Sequence, residues 1–461
     1  MLTSFLKPKV ETKLKHEAFF HQLRKDEFGR LDKNNEVYLD YTGGNLTAKS
    51  LLEKHFKLLA ENTFGNPHST NPSSQFATKL VEETRKKILD YFNATDYYCV
   101  FTQNASAALQ IIGESYPFED DGHYLHCIDN HNSVNGIREY CSQRGGTHQI
   151  FSVDLKSLQI DEKDLLTKLD SCTHQNKLLA FPAQSNVSGV KHPLRYIEMA
   201  KERGWDVLLD AAAFVPTNTL DLSKFHPDFV SISFYKMFGY PTGIGCLLIK
   251  KSAFEKLRKR WFAGGTVYIA SSKTPFFSLV DNHERFENGT INYLGIPAVS
   301  YGLDFLSAIG MDRLNERVHS LMQYLKLEFE KLSHTNGTQQ VQIFGPENRD
   351  ACGGTMIVNF FNPDGSKIPF FKIEAMTNAK QISIRSGCFC NPGIDEINYD
   401  LSPESLETLY HSKQYFSFKE MREALEKMRG AIRISVGLVS NQKDLDALID
   451  LIKTLKDRTL D

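Results

Sequence analysis

The stretch DFVSISFYKMFGYPTGIGCLLI, residues 228–249, carries the pattern that decides the fold. Two apolar runs flank Lys236 and a turn that contains Gly and Pro. Such runs predict buried strands, and the residues between them predict a loop at a strand end. The amine of Lys236 should therefore emerge at the edge of a buried sheet. A lysine in that setting can have a depressed pKa and act as a nucleophile that forms a Schiff base.

The same alternation extends along most of the chain. Short apolar runs such as YYCVFT, KLLAFPA and DVLLDAA alternate with amphipathic stretches such as SSQFATKLVEETRKKILDYF and PLRYIEMAKERG. This pattern predicts an α/β protein with a mainly parallel sheet. A long helix is predicted from about residue 310, and mixed strands and helices follow it. We predict a large α/β domain over residues 41–305 and a smaller α+β domain formed by residues 1–40 and 306–461.

Composition and charge exclude several classes of protein. The chain has 461 residues, of which 41% are hydrophobic, enough for a large core. Its formal net charge of −2 gives no indication of a nucleic-acid or membrane partner. No apolar run approaches the roughly 18 residues of a membrane span. The first twenty residues lack the sustained apolar segment of a signal peptide. We therefore expect a cytoplasmic protein.

The eight cysteines are scattered without a repeated spacing, so they do not predict a disulfide framework. Cys388 and Cys390 stand apart from the rest because they lie in a turn-rich loop, SIRSGCFCNPG, residues 383–393. Arg385 could favour a thiolate there. A structural zinc site is the competing interpretation. It is less favoured, because no second Cys or His pair stands at zinc-ligand spacing, and we expect no metal.

Three further loops place polar groups after predicted strands. In CVFTQNASAALQII a strand meets a helix at residues 104–106, where free backbone N–H groups can hold a phosphate. Asp210 ends an apolar strand, and His131 follows a possible strand. Each could be an ordinary helix cap or core group. Together with Lys236 they are what pyridoxal phosphate requires: an anion site, a carboxylate for the pyridine nitrogen, an amine and a flat group over the ring.

The same region also contains a motif of a different class of enzyme. Ser233-x-x-Lys236 has the spacing of the serine acyl-transfer enzymes. Those enzymes also carry S-D-N and K-T-G triplets, and neither occurs in this chain. The acyl-transfer interpretation is therefore less favoured.

The motifs SFYKMFGYPTGIG and RSGCFCN resemble those of a known family. The chain is similar to fold-type-I pyridoxal-phosphate enzymes of the class V aminotransferase group, and within it to the cysteine desulfurases. The nearest resemblance is to the N-terminal domain of molybdenum cofactor sulfurases. It extends from YLDYTGG near residue 38 to IRISVG near residue 437. It implies bound pyridoxal phosphate, a homodimer, and a small domain that carries the cysteine loop and a substrate-binding arginine.

The resemblance also implies a role for each site residue. Lys236 would bind the cofactor covalently, Asp210 would pair with its pyridinium nitrogen, and His131 would stack on its ring. Arg433 would bind the substrate carboxylate. The remaining cofactor contacts would come from the Ala105 backbone, Ser106, Ser233, Asn186 and Thr266. Asn186 would also contact the substrate, and Thr266 would come from the neighbouring subunit. The family's usual histidine and glutamine are replaced here by Tyr235 and Ala213.

In this family pattern the nucleophile is Cys390, five residues after Arg385, and the role of Cys388 stays open. Lys236, Cys390 and His131 would then convert L-cysteine, or a related amino acid, to L-alanine and leave a persulfide on Cys390. The chain ends before the C-terminal domain of the sulfurases, so we expect a separate sulfur-acceptor protein as partner. The alternatives are a selenocysteine lyase, or a class V aminotransferase, epimerase or lyase that acts on another amino acid.

Overall fold

The computed structural model describes residues 14–412, 417, 420 and 430–460. Residues 1–13 lie outside this part of the chain. They include the start of the predicted small domain and of the stretch considered above as a targeting signal. Within the described ranges no helix is long and apolar enough to cross a membrane. The cytoplasmic location stays a prediction.

The strands of the described ranges are numbered in chain order. They are Val37–Tyr38 (β1), Tyr97–Thr102 (β2), Gly122–Cys127 (β3), Thr147–Phe151 (β4), Asn176–Pro182 (β5), Asp206–Asp210 (β6), Phe229–Ser233 (β7), Gly245–Lys250 (β8), Val267–Ala270 (β9), Phe277–Leu279 (β10), Val341–Ile343 (β11), Thr355–Phe360 (β12), Ile382–Ser383 (β13), Arg385–Gly387 (β14) and Ala431–Ser435 (β15).

The α-helices of the same ranges are numbered in the same way. They are Glu17–Phe28 (α1), Arg30–Lys33 (α2), Lys49–Glu61 (α3), Pro72–Tyr91 (α4), Ala105–Ser115 (α5), Asn132–Asn135 (α6), Ile137–Gln143 (α7), Glu162–Ser171 (α8), Arg195–Lys201 (α9), Phe234–Phe238 (α10), Lys251–Phe254 (α11), Ile296–Ile309 (α12), Met311–Phe329 (α13), Phe370–Asn378 (α14), Pro392–Asn398 (α15), Pro403–Ser412 (α16) and Gln442–Lys453 (α17). Short 3₁₀ turns cover His283–Phe286 and Arg349–Ala351.

A seven-stranded sheet in the order β2-β8-β7-β6-β5-β3-β4 confirms the predicted α/β class. Neighbouring strands from β7 to β4 are parallel, whereas β8 runs antiparallel to both β2 and β7. The connection from β7 to β8, residues 234–244, explains this exception. It is too short for the crossover that a parallel pair needs. The sheet is therefore mainly parallel, and it reverses where Lys236 lies.

Both faces of this sheet are covered. Alternate residues of the same strands pack into two different hydrophobic clusters. Because both faces are buried, the strands read as nearly continuous apolar runs in the sequence. Examples on one face are Val100, Leu208, Phe229 and Leu247, and examples on the other are Phe101, Leu209, Val230 and Leu248.

A second, antiparallel sheet in the order β11-β12-β15-β14 brings together segments from the last third of the chain. The N-terminal strand β1 pairs with β13, and Asp40 forms a bridge with Ser435 at the end of β15. The long helix predicted from residue 310 is confirmed as α13. One hydrophobic cluster includes residues of both sheets. The predicted domain boundaries stay predictions.

Candidate active site

Lys236 lies on the short helix α10, directly after β7, and its side chain lines a cavity. Asp210, at the end of the parallel strand β6, and His131 line the same cavity. Burial lowers the pKa of Lys236, and the charge of Asp210 opposes that shift. A lysine with a lowered pKa is more often uncharged, which makes its nitrogen a nucleophile or a base. The amine thus follows a buried strand, and its role in the site stays a prediction.

The N-terminus of α5 forms one end of the cavity. Asn104 caps the helix and accepts a hydrogen bond from the Ala107 backbone N–H at 3.0 Å. The Ala105 backbone N–H donates to Ser233 Oγ at 2.8 Å, and the Ser106 and Ser133 hydroxyls bond to each other at 2.6 Å. Hydroxyls beside a helix N-terminus suit an anionic group such as a phosphate.

Asp210 presents one of its two carboxylate oxygens to the cavity region without a hydrogen bond. Its Oδ1 accepts from the Ala212 N–H at 3.1 Å and from the Ser231 hydroxyl at 2.9 Å. Among the residues that the structure describes, none donates to Oδ2. Asp210 is half-buried, and a carboxylate oxygen without a donor of its own can accept one from a ligand. Asp210 can therefore accept a hydrogen bond from a protonated ring nitrogen.

His131 combines two of the roles considered for it. It caps α6, because its Nδ1 accepts from the Ser133 backbone N–H at 3.1 Å, and it also lines the cavity. Burial lowers the pKa of His131, and the charge of Asp210 opposes the shift. The imidazole is therefore mainly neutral at pH 7. With Nδ1 acting as the acceptor, the remaining hydrogen lies on Nε2.

Arg433 is held in place by two acceptors. Its guanidinium donates from Nη1 to the Asn186 carbonyl and from Nη2 to Asp40 Oδ1, both at 2.9 Å. The side chain is buried, and its Nε finds no hydrogen-bond partner among the described residues. Burial lowers the pKa of Arg433, which the charge of Asp40 opposes. An oriented guanidinium with unused N–H donors can bind a carboxylate through two hydrogen bonds.

Asp40 joins two arginines and was not predicted as a site residue. Besides Arg433, it binds Arg385, whose Nη2 lies 2.7 Å from Asp40 Oδ2. Gly43 packs against this pair, and a Cβ at that position would lie 2.5 Å from the Asp40 carboxylate. The motif YLDYTGG that marks the start of the resemblance contains both residues. It was the one signal for Asp40 in the sequence.

The cysteine loop is shorter than the predicted stretch 383–393, because Arg385–Gly387 form β14 and α15 begins at Pro392. The loop proper covers residues 388–391, and hydrogen bonds to its backbone hold it. The Asn186 side-chain amide donates to the Phe389 carbonyl at 2.8 Å, and the Asn132 N–H donates to the Cys390 carbonyl at 2.7 Å. Because Asn186 also lines the cavity, these bonds place the loop beside it. Cys390 is exposed, whereas Cys388 is half-buried. The thiol assigned as nucleophile is thus open to solvent.

The backbone of this loop is unusual at two consecutive residues. Phe389 has φ 56° and Cys390 has φ 55°, in the left-handed region that residues other than glycine seldom adopt. Such a conformation persists only where the surroundings enforce it, and it is frequent at functional sites. The hydrogen bonds from Asn186 and Asn132 hold the backbone of Phe389 and Cys390 in this conformation.

Thr266 lies outside this cavity. Its side chain is buried, and its hydroxyl both donates to and accepts from the Ala263 backbone at 2.9 Å. A hydroxyl has one hydrogen to donate. To donate to a phosphate, Thr266 would have to give up its bond to the Ala263 carbonyl. Its role in a neighbouring subunit's site stays a prediction.

Gln184 is a cavity residue that the sequence did not reveal. It is 3% exposed and donates from Nε2 to the Ala213 carbonyl at 2.9 Å. Its Oε1 accepts from the Asn218 side chain at 3.1 Å. The amide therefore lies beside Ala213, where desulfurases of the resembled group carry a glutamine. Only the three-dimensional structure brings these two positions together.

The described ranges contain no group of three or more His, Cys, Asp or Glu side chains placed to hold a metal ion. The expectation that the chain holds no metal stays a prediction.

The whole arrangement matches a known family. A family model described as aminotransferase class-V matches residues 37–448. The chain belongs to this family. Its enzymes depend on pyridoxal phosphate. The site of this class-V chain fits that cofactor: the α5 N-terminus and the hydroxyls of Ser106 and Ser233 suit the phosphate, Asp210 offers an open oxygen, and Lys236 offers an amine.

Two similar relatives are molybdenum cofactor sulfurases. The protein from Arabidopsis thaliana is 34% identical, with 94% of this chain and 57% of that protein covered. Molybdenum cofactor sulfurase 3 from Aedes aegypti is also 34% identical, with 93% and 57% covered. The chain thus spans somewhat more than half the length of these relatives.

Solved structures share the fold. A cysteine desulfurase from Thermococcus onnurineus NA1 has a TM-score of 0.78 at 23% identity, with 98% of this chain and 99% of that chain covered. The cysteine desulfurase CsdA from Escherichia coli has a TM-score of 0.75 at 19% identity, with 95% and 98% covered. The predicted fold-type-I class is confirmed.

Proposed function

We propose that the protein is a pyridoxal-phosphate-dependent cysteine desulfurase that converts L-cysteine to L-alanine and keeps the sulfur as a persulfide on Cys390. The observation that carries the proposal is the anchored loop. It holds an exposed cysteine beside a cavity that is lined by Lys236, while Asn186, on the cavity wall, bonds both the loop and the buried Arg433. A transaminase or an epimerase would not require that cysteine.

Each side chain has a distinct task in this reaction. Pyridoxal phosphate, when bound, supplies an electron sink for the α-carbon of the amino acid. Arg433 binds the substrate carboxylate and so fixes the orientation of the substrate. Lys236, whose pKa is lowered by burial, accepts the proton from the α-carbon. His131 contributes a neutral flat ring to the cavity wall.

The sulfur transfer itself belongs to Cys390. Its thiolate attacks the sulfur of the substrate, so that an S–S bond forms while the bond between Cβ and sulfur breaks. The electron pair of the broken bond stays with the carbon, which takes up a proton and becomes the methyl group of alanine. The exposed position of Cys390 then leaves the persulfide accessible to a thiol or to a separate acceptor protein.

Similar proteins support this proposal. The related chains are molybdenum cofactor sulfurases, and the similar structures are those of cysteine desulfurases. A selenocysteine lyase, or a class V aminotransferase, epimerase or lyase, remains the alternative. A separate protein as the sulfur acceptor is part of the proposal, and so is any link to the molybdenum cofactor.

A homodimer is also part of the proposal. The β9–β10 hairpin and the segment before it expose large apolar side chains: Trp261, Phe262, Tyr268, Ile269 and Phe276. Contiguous exposed apolar side chains of this kind favour a protein interface. A second copy of the chain could cover them and bring the segment around Thr266 to the neighbouring site. Sedimentation velocity of the purified protein would show the expected dimer.

The function is tested by measuring alanine and sulfide after addition of L-cysteine and a reducing thiol. Selenocysteine, L-alanine and L-aspartate serve as comparators. We expect equal amounts of alanine and sulfide from L-cysteine. Selenocysteine turnover with no L-cysteine turnover would favour the lyase, and amino-group transfer to a keto acid would favour an aminotransferase.

Replacing Arg433 should chiefly weaken substrate binding. In Arg433→Ala one carboxylate contact is lost, so the KM for L-cysteine should rise by roughly 30-fold, equivalent to about 2 kcal/mol. Asp40 keeps its bonds to Arg385 in this variant, so its charge stays paired. The exposed Arg458→Ala is the control. An unchanged KM in Arg433→Ala would mean that another group holds the carboxylate.

Replacing Asp210 should weaken the action of the cofactor. In Asp210→Asn the Ser231 and Ala212 donors can still bond to Oδ1, whereas the charge that faces the ring nitrogen is lost. We expect kcat to fall by about 100-fold, as when one electrostatic contact to a reacting group is removed. The exposed Asp26→Asn is the matched control. A normal kcat in Asp210→Asn would remove this residue from the site.

A further inference from the structure

A buried polar cluster lies behind the cysteine loop, and the reaction described above does not use it. Its centre is the carboxylate of Asp129, which is fully buried. Asp129 Oδ1 accepts from the Ser185 hydroxyl at 2.8 Å and from Asn391 Nδ2 at 2.6 Å, and Oδ2 lies 3.2 Å from His192 Nε2. We call these four residues the Asp129 cluster. It joins the loop after β3, the loop after β5 and the cysteine loop.

Asn391 is the member of the cluster that directly follows Cys390. It is 1% exposed, and its Nδ2 donates to Asn186 Oδ1 at 3.2 Å as well as to Asp129. Both hydrogens of the amide nitrogen are therefore used. A hydrogen bond to a buried carboxylate is stronger than one between neutral groups. Asn391 thus attaches this loop to two buried residues, through one charge-assisted and one neutral hydrogen bond.

Asn186 extends the attachment towards the substrate. Its Oδ1 accepts from Asn391, its Nδ2 donates to the Phe389 carbonyl, and its own carbonyl accepts from Arg433. One residue on the cavity wall therefore contacts both the cysteine loop and the arginine proposed to bind the substrate. Asn186 therefore links the position of the cysteine loop to the position of Arg433.

Close backbone packing fixes the loop from its other end. A Cβ on Gly393 would lie 2.1 Å from the Ile128 carbonyl oxygen, so only glycine fits at this contact. On the same segment, the Asn132 N–H donates to the Cys390 carbonyl. Residues 388–393 are therefore pressed against residues 128–132. Together with Asn391, this contact can enforce the left-handed backbone of Phe389 and Cys390.

We propose that Asn391 is the positioning residue that fixes Cys390 for sulfur transfer, because it ties the cysteine loop to Asp129 and to Asn186. This inference rests on the proposed desulfurase function. Binding of the amino acid depends on Lys236, Arg433 and the cofactor. The attack on sulfur depends in addition on the place of Cys390. Loss of Asn391 should therefore affect the rate of sulfur transfer and leave substrate binding intact.

The test compares Asn391→Ala with the parent holoenzyme and with Asn378→Ala, an exposed asparagine in α14. In Asn391→Ala we expect kcat for alanine formation to fall by about 100-fold, the effect of displacing a reacting group by about 1 Å. The KM for L-cysteine and the cofactor spectrum should stay as in the parent. Asn378→Ala should match the parent in every respect.

A second measurement does not depend on activity. Hydrogen exchange of peptides that cover residues 128–135 and 386–394 should be about 10-fold faster in Asn391→Ala, since one charge-assisted bond no longer closes the loop. Exchange elsewhere should be unchanged. If Asn391→Ala does not fold, Asn391→Ser, which keeps a small donor, takes its place in both measurements.

The outcomes separate this inference from the proposed function. A parent enzyme that forms no alanine rejects the desulfurase assignment, and the exchange data then decide alone whether Asn391 holds the loop. An active parent with unchanged kcat in the variant would overturn the positioning role. A raised KM with normal kcat would also overturn it, because Asn391 would then act on substrate binding. Unchanged exchange at both peptides would show that other contacts hold the loop.

Discussion

The Lys236→Ala protein is expected to lose turnover with L-cysteine by about 10⁴-fold or more, the scale seen when a residue that acts directly on the reacting atoms is removed. It should also lose any covalent link to the cofactor that borohydride can reduce. Both effects have one cause, because Lys236 supplies the only amine that the structure places on the cavity wall within the described ranges. Asp210 and the α5 N-terminus remain, so the cofactor should still bind, more weakly.

The measurement is peptide mass spectrometry after borohydride treatment, together with the absorbance of the dialysed protein. Lys236→Arg tests whether charge alone suffices, and we expect it to be as inactive as Lys236→Ala. The exposed Lys49→Ala should match the parent. A reducible cofactor link at another lysine in the parent protein would move the active site away from α10.

The Cys390→Ser protein is expected to bind L-cysteine normally but to form alanine at least about 10³-fold more slowly, because a hydroxyl is a poor nucleophile towards sulfur at neutral pH. The matched variant is Cys388→Ser, which lies two residues away and is half-buried. It should keep most of the activity. The comparison isolates one sulfur, since both variants change a thiol of the same loop to a hydroxyl.

Binding is followed by the change in cofactor absorbance, and turnover by alanine formation. Normal alanine formation in Cys390→Ser would reject the persulfide route. Loss of activity in Cys388→Ser alone would transfer the nucleophile to Cys388. Loss in both variants would mean that both thiols are needed for turnover and that Cys388 is not a bystander.

The motifs at strand ends were enough to predict most of the fold and the positions of Lys236 and Asp210. The alternation of short apolar runs with amphipathic stretches identified the mainly parallel sheet, and ligands bind at the carboxyl ends of such strands. The antiparallel direction of β8 could have been inferred from the short connection through residues 234–244. His131 and the α5 N-terminus were also found, because the local sequence alone predicts helix starts there.

The residues that hold the predicted site residues in place could not be predicted, because they depend on contacts between distant parts of the chain. Asn391 follows a predicted nucleophile, yet its partner Asp129 lies 262 residues earlier. Asp40 meets Arg433 across 393 positions. Gln184 and Ala213 are joined only by the neighbouring positions of β5 and β6 in the sheet. Each of these contacts is set by tertiary packing, which no local pattern encodes.

The proposed mechanism requires that sulfur from L-cysteine passes to Cys390. The most direct test is peptide mass spectrometry of the holoenzyme after a single turnover with L-cysteine that carries a heavy sulfur isotope, with no reducing thiol present. We expect one added heavy sulfur on Cys390, located by fragmentation of its peptide, in an amount equal to the alanine released, and none in Cys390→Ser. Alanine release with no labelled sulfur on this peptide, or with the label on Cys388 alone, would reject the transfer of sulfur to Cys390.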